Sequence, residues 1–169
     1  MITYELSGRK ALVTGGASGI GLAAVTMLAK AGAAVAMNHL PEDPMATKAL
    51  AALRDQGLDV ISAPGSVADS GIAEAMVEMA TSELCGLDYL INNAGTPATA
   101  EPIPPSELAR MDDAIWERIL QTNLLGAFRC AKAAASALKD RKGAIVSTAS
   151  IAGISTQGSS IAYAASKAA

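Results

Sequence analysis

Aromatic side chains are scarce in this sequence: three Tyr, one Trp and one Phe make up 3% of its 169 residues. The apolar content falls instead to Ala, Val, Ile and Leu, which favours close-packed helices on a buried sheet over an all-β sandwich. Cysteine is nearly absent, and Cys85 and Cys130 lack the spacing and the companions of a metal-ligand cluster. Buried free thiols in a reducing compartment are the expectation. No Lys/Arg cluster stands out among 13 basic and 16 acidic residues, and the net charge is −3. That leaves no footprint for a nucleic-acid backbone. No uninterrupted apolar run is long enough to cross a bilayer. The opening residues carry Glu5, Arg9 and Lys10 and enter a strand at once, without the apolar centre of a signal peptide. A cytoplasmic protein with no membrane and no nucleic-acid partner is expected. No repeat or low-complexity tract appears.

What the chain does have is 51% apolar and 17% charged residues, enough for one substantial core. A domain of this size buries roughly 70% of its unfolded surface, and residues 1–169 are read as a single domain. Short apolar runs alternate with helical periodicity. Strands are expected at Ala11–Val13, Ala34–Asn38, Val60–Ala63, Tyr89–Asn92 and Ala144–Thr148. Helices are expected at Ile20–Ala31, Met45–Gln56, Ile72–Cys85 and, as one long element, Asp113–Lys139, with a last helix from about Ala162. This alternation predicts an α/β fold, a doubly wound parallel sheet with helices on both faces. The segment Thr96–Arg110 contains Pro97, Pro102, Pro104 and Pro105 and is read as a surface loop, with no regular helix through its first half.

The first expected strand runs into Thr14-Gly15-Gly16-Ala17-Ser18-Gly19-Ile20-Gly21, followed by a helix. Such a turn places backbone amides and a helix N-terminus where a pyrophosphate could sit. Gly15 permits the tight turn, Gly19 allows close approach, and Gly21 lets helix and strand pack. Glycine turns of this kind also arise for steric reasons alone. Asn92-Asn93-Ala94-Gly95 closes the fourth strand and could likewise be a simple turn. Gly15, Asn92 and Ser150, however, all fall at carboxyl ends of parallel strands, where an open sheet has its ligand crevice.

Asn123 interrupts the apolar stripe of the long helix formed by Ile115, Trp116, Ile119, Leu120, Leu124, Ala127, Phe128 and Ala131. A buried amide without partners costs about 1–3 kcal/mol. It either bonds neighbouring backbone or holds a water near an active centre. Tyr163 and Lys167 are four apart and share one face of the last helix. A phenol is a poor acid–base at neutrality, and a nearby ammonium favours its ionised form. The pair is a candidate general acid/base, although Tyr-x-x-x-Lys taken alone usually marks only a helix face.

In Thr14-Gly15-x-x-x-Gly19-x-Gly21, Asn92-Asn93-Ala94-Gly95, Asn123, Ser150 and Tyr163-Ala164-Ala165-Ser166-Lys167, the chain resembles the short-chain dehydrogenase/reductase family from Lys10 to Ala169. The resemblance implies a Rossmann-type three-layer α/β/α fold. It also implies an NAD(P)-dependent oxidoreductase that interconverts an alcohol and a ketone or aldehyde. In that pattern Tyr163 exchanges the substrate proton and Ser150 orients the substrate oxygen. Lys167 eases ionisation of the tyrosine and binds the nicotinamide ribose, and Asn123 holds a relay water. Gly15, Ser18, Gly19, Ile20, Gly21, Asn38, His39, Ser66, Val67, Asn93, Ala94 and Gly95, with Tyr163 and Lys167, are the implied cofactor contacts. A homo-oligomer built through the long helix and the last one is also implied. The three-residue gap between Tyr163 and Lys167 disfavours enoyl reductase relatives, whose spacing is wider. A dinucleotide-binding protein without turnover is the alternative, and the intact Ser150, Tyr163 and Lys167 argue against it.

Three departures qualify the pattern. The second strand ends in Asn38-His39-Leu40-Pro41, with neither a carboxylate for a ribose 2′-hydroxyl nor an Arg for a 2′-phosphate. His39, the only histidine, could contact that phosphate, which favours NADP(H) over NAD(H). Ser66-Val67 stands where the family usually has Asp-Val beside the adenine, so weaker adenine recognition is expected. Relatives continue well past Ala169, so the chain is expected to be part of a longer enzyme whose substrate-selecting segment lies outside it. A 3-oxoacyl thioester, a sugar or polyol and a small cyclic ketone all remain open as substrates.

Overall fold

The computed structural model describes residues 4–155 and 158–169. Five strands form one sheet: β1 (Lys10–Val13), β2 (Ala34–His39), β3 (Val60–Pro64), β4 (Tyr89–Asn92) and β5 (Ala144–Ser147). Their order is β3-β2-β1-β4-β5, and every neighbouring pair is parallel. The helices between them are α1 (Gly19–Lys30), α2 (Pro44–Asp55), α3 (Ser70–Glu83), α4 (Asp113–Leu120) and α5 (Gly126–Arg141), with α6 (Ile161–Ala168) after β5.

Alternate residues of each strand feed opposite layers, as the two-residue period of a strand requires. Ala11, Val13, Val35 and Met37 pack with Val25 and Ala29 of α1 and Leu50 and Leu53 of α2. Leu12, Ala36 and Leu90 point the other way, onto Val77 and Ala80 of α3 and Cys130, Ala134 and Leu138 of α5. The expected three-layer, doubly wound arrangement is therefore present. Strand order reverses at β1, which lies between β2 and β4, so the connections leaving β1 and β4 run to opposite faces and open a crevice at their carboxyl ends.

Local signals start the helices where the chain needs them. Asp43, Asp69 and Asp112 each accept a backbone N–H of the first turn in α2, α3 and α4, and Pro44 follows its cap at the first helical position. Ser160 caps α6 by accepting from Tyr163 N at 3.1 Å. The hydroxyl that begins this helix thus also fixes the backbone of Tyr163.

The single long helix expected over Asp113–Lys139 is instead three pieces. A π-helical turn, Gln121–Leu125, separates α4 from α5 and rotates the apolar stripe. Ile119 is buried, whereas Phe128 is 61% exposed rather than packed. The proline-rich segment is irregular through its first half and ends in a short 3₁₀ helix, Pro105–Arg110. It is not wholly superficial, because Ile103 is buried and its N–H donates to Ser159 O at 2.7 Å. Cys130 is buried as expected, but Cys85 is exposed at the end of α3. All four residues of β5 are exposed, with Ile145 at 46% and Val146 at 56%. Among the described residues no helix is long and apolar enough to cross a membrane.

Candidate active site

The crevice holds two adjoining cavities of about 490 Å³ each, which share Gly15, Ser18, Ala94, Gly95 and Thr96. One extends over the ends of β2 and β3, past His39, Ser66 and Val67. The other extends over the ends of β4 and β5, past Asn93, Ser150, Tyr163 and Lys167. Every residue expected from the sequence except Gly21 and Asn123 lines one of the two.

Those two lie just behind the wall. Gly15 and Gly19 have positive φ, +61° and +51°, which a side chain would strain. A Cβ on Gly21 would collide with Gly15 O, so that glycine lets α1 press against the turn. The space over Gly19 is open to 4 Å. Ser18 occupies the N-cap of α1 with extended backbone but makes no capping bond, so the first-turn amides stay available to an anion. A bare backbone cradle open on its outer side suits a dinucleotide pyrophosphate.

Polar side chains stitch the strand ends together beneath the cavities. Thr14 Oγ1 donates to Ile91 O at 3.3 Å and accepts from Asn93 N at 2.9 Å and Ala94 N at 3.0 Å. The Asn93 amide donates to Thr14 O and Gly15 O, and its oxygen accepts from Thr148 Oγ1 at 3.2 Å. Asn38 is buried: its oxygen accepts from Gly15 N at 3.0 Å, and its amide donates to Ala63 O and Gly65 O. It lines the cavity, but its amide hydrogens are committed to holding the glycine turn against β3.

The Asn123 side chain is also committed. Its oxygen accepts from Thr96 N at 2.8 Å, and its amide donates to Thr96 O at 3.1 Å and to Ser166 Oγ at 3.0 Å. It clamps the start of the proline-rich segment to α6, leaving only a second lone pair of Oδ1 for a water.

Ser150 Oγ accepts from Ala152 N at 3.2 Å, which leaves the hydroxyl proton free to donate into the cavity. Lys167 Nζ donates to Thr148 O at 2.9 Å and stands 6.0 Å from the centre of the Tyr163 ring. Burial pulls the Lys167 ammonium below the usual lysine range. Ser66 Oγ accepts from Ala68 N at 3.3 Å, and its own proton is free. Three contributors escaped the sequence reading: Thr148, Thr96 and Ser166. Each sits inside a recognised motif or within two residues of one, and the only signal was a small hydroxyl beside a strand or helix end.

His39 does not present a free ring nitrogen. Nδ1 lies 2.8 Å from Leu40 O, and because a carbonyl only accepts, this nitrogen carries the proton. Nε2 lies 2.7 Å from Ser62 Oγ.

A parallel α/β sheet with this cradle and this Ser, Tyr and Lys around one crevice defines a dinucleotide-binding domain. The family model for short chain dehydrogenases matches residues 9–169, and the chain belongs to that family. It is 34% identical over 161 residues to the 3-oxoacyl-[acyl-carrier-protein] reductase FabG of Staphylococcus aureus, covering 95% of this chain and 63% of that protein. It superimposes with a TM-score of 0.86 on a short chain dehydrogenase from Burkholderia cenocepacia in complex with NADP. That match is 32% identical and covers 97% of this chain and 64% of the other. With NADH-dependent reductase A1-R′ complexed with NAD the TM-score is 0.83, at 32% identity, covering 96% and 68%. The chain therefore spans a little under two thirds of the length of the curated relatives it matches.

Proposed function

We propose that the protein is an oxidoreductase that interconverts an alcohol and a ketone or aldehyde with NAD(H) or NADP(H). The observation that carries this reading is that Tyr163, Lys167 and Ser150 line the same cavity as Gly15 and Gly19 of the glycine turn. When bound there, the nicotinamide supplies or receives the hydride. The free proton of Ser150 holds the substrate oxygen, and Tyr163 gives that oxygen its proton in reduction or takes it in oxidation. Lys167, anchored on Thr148 O, places a positive charge beside the phenol. Asn123 keeps Thr96 and α6 in register so that these groups face one space.

A 3-oxoacyl thioester is a reasonable first substrate, because FabG is named for one. Sugars, polyols and small cyclic ketones complete the panel. The homo-oligomer would use the face of α5 that carries exposed Phe128, with Leu125 beside it; sedimentation of wild type against Phe128→Ser tests that contact. For the chemistry, Tyr163→Phe should lose turnover, read as oxidation of reduced nicotinamide, by at least about 100-fold while retaining cofactor binding. Undiminished turnover in that variant refutes the assignment.

A further inference from the structure

We infer that Asp43 is the residue that selects between the two forms of the cofactor, and that it selects NAD(H) against NADP(H). This deepens the dinucleotide reading above and rests on it. It also reverses the expectation drawn from His39.

The sequence carries no acid at the end of β2, but the chain brings one back four residues later. After His39 the backbone turns, with Glu42 in the left-handed region at φ +59° and Asp43 N donating to Leu40 O at 3.3 Å. That turn sets Asp43 on the wall of the cavity over β2 and β3, beside His39 and Leu40. Asp43 is half-buried there, and its direction is fixed because it caps α2, with Oδ1 accepting from Met45 N at 2.9 Å. Its second oxygen, Oδ2, has no hydrogen-bond or ion-pair partner among the described residues. A fixed carboxylate with one open oxygen can accept from a ribose hydroxyl and repels a phosphate placed at the same point.

The rest of the lining supplies no compensating cation on that side. Besides Asp43, Arg118 is the other formally charged residue lining the cavity. It belongs to α4, whose following turn is tied through Gln121 and Arg129 to Ala68 in the loop after β3, whereas the ribose 2′-hydroxyl of a dinucleotide lies at the end of the second strand. His39 shares the Asp43 side, yet its Nδ1–H is committed to Leu40 O and its Nε2 to Ser62 Oγ. Neither nitrogen offers a proton to a phosphate. A 2′-phosphate would thus meet one anion and no free donor from the imidazole.

The test is the ratio of dissociation constants for NADPH and NADH, measured with the full chain by fluorescence titration. Adenosine 2′,5′-bisphosphate and 5′-AMP serve as probes that carry no nicotinamide. Asp43→Asn is the informative variant, because asparagine caps a helix as well as aspartate and thermal melts can verify that α2 is retained. Wild type should bind NADH more tightly. Asp43→Asn should shift the ratio about tenfold towards NADPH, and the bisphosphate should gain on 5′-AMP in parallel. Arg118→Gln should move the ratio less than about twofold. Tighter NADPH binding by wild type overturns the inference, as does a ratio unchanged in Asp43→Asn or one that collapses in Arg118→Gln. Failure of wild type to bind either dinucleotide overturns the parent reading as well, so the two failures are distinguishable.

Discussion

Asp88 gives the sharpest test of how this sheet is held together. It stands at the start of β4, at the end of the sheet opposite the crevice, and its side chain is 2% exposed. Oδ1 accepts from Arg9 Nη1 at 3.0 Å; Oδ2 accepts from Lys10 N at 2.8 Å and Arg141 Nη2 at 3.1 Å. One carboxylate therefore ties β1, β4 and the end of α5. Burial alone would raise its pKa, but the bonds from Arg141, Lys10 N and Arg9 together outweigh burial and hold it below the usual aspartate range. The two guanidinium groups are 51% and 36% exposed, so removing the carboxylate lets both return to water, and each contact is worth about 0.5 kcal/mol. The Lys10 N–H has no such escape, and losing its acceptor costs about 1–3 kcal/mol. Asp88→Ala should therefore destabilise by about 2–4 kcal/mol in urea unfolding followed by far-UV circular dichroism. The pH sign follows from the lowered pKa. The contribution is fully present above the unfolded value of about 3.9 and is lost as pH falls through the folded one. Wild type should lose stability in that acid window, and Asp88→Asn should lose less. Because the site is remote, cofactor affinity should be unchanged. An Asp88→Ala variant within about 0.5 kcal/mol of wild type, or identical acid profiles for wild type and Asp88→Asn, would refute the reasoning.

Gly21→Ala should abolish dinucleotide binding and destabilise the chain, since its Cβ would strike Gly15 O; titration and a thermal melt read both effects. Asn123→Ala should cost about 1–3 kcal/mol through the orphaned Thr96 backbone and should also loosen the proline-rich segment, seen as faster amide exchange at Thr96 and Ala98. Burial pushes the Cys130 thiol up to about 11, whereas Cys85 is exposed. Alkylation of the native chain should therefore label Cys85 alone, with Cys130 reacting only after unfolding; equal labelling would contradict the packing of α5.

The strands and the first three helices were readable because their signals are local. Leu12 and Val13 form a short apolar run, and Gly57 and Gly86 follow shortly after α2 and α3. The break at Gln121–Leu125 was not readable, because a π-helical turn leaves apolar spacing nearly intact while rotating everything after it. Phe128 was placed in the core for that reason. The sequence left Asn123 open between bonding backbone and holding a water, and its partners Thr96 and Ser166, 27 residues before and 43 after, could not be read from spacing. Asp43 was invisible as a cavity residue, since only the left-handed step at Glu42 returns it to the crevice. Motifs thus announced which residues gather, while long-range hydrogen bonds decided which of their atoms stay free.

Thr14 Oγ1 bonds to the loop after β4 at two successive amides and to β4 itself at Ile91 O. The first and fourth loops consequently cannot swing apart without breaking all three contacts together, so the floor of the crevice is rigid before any guest arrives. An incoming molecule meets a preset surface and loses little affinity to ordering it. Any adjustment to a bound guest must then come from the rim and not from the glycine turn.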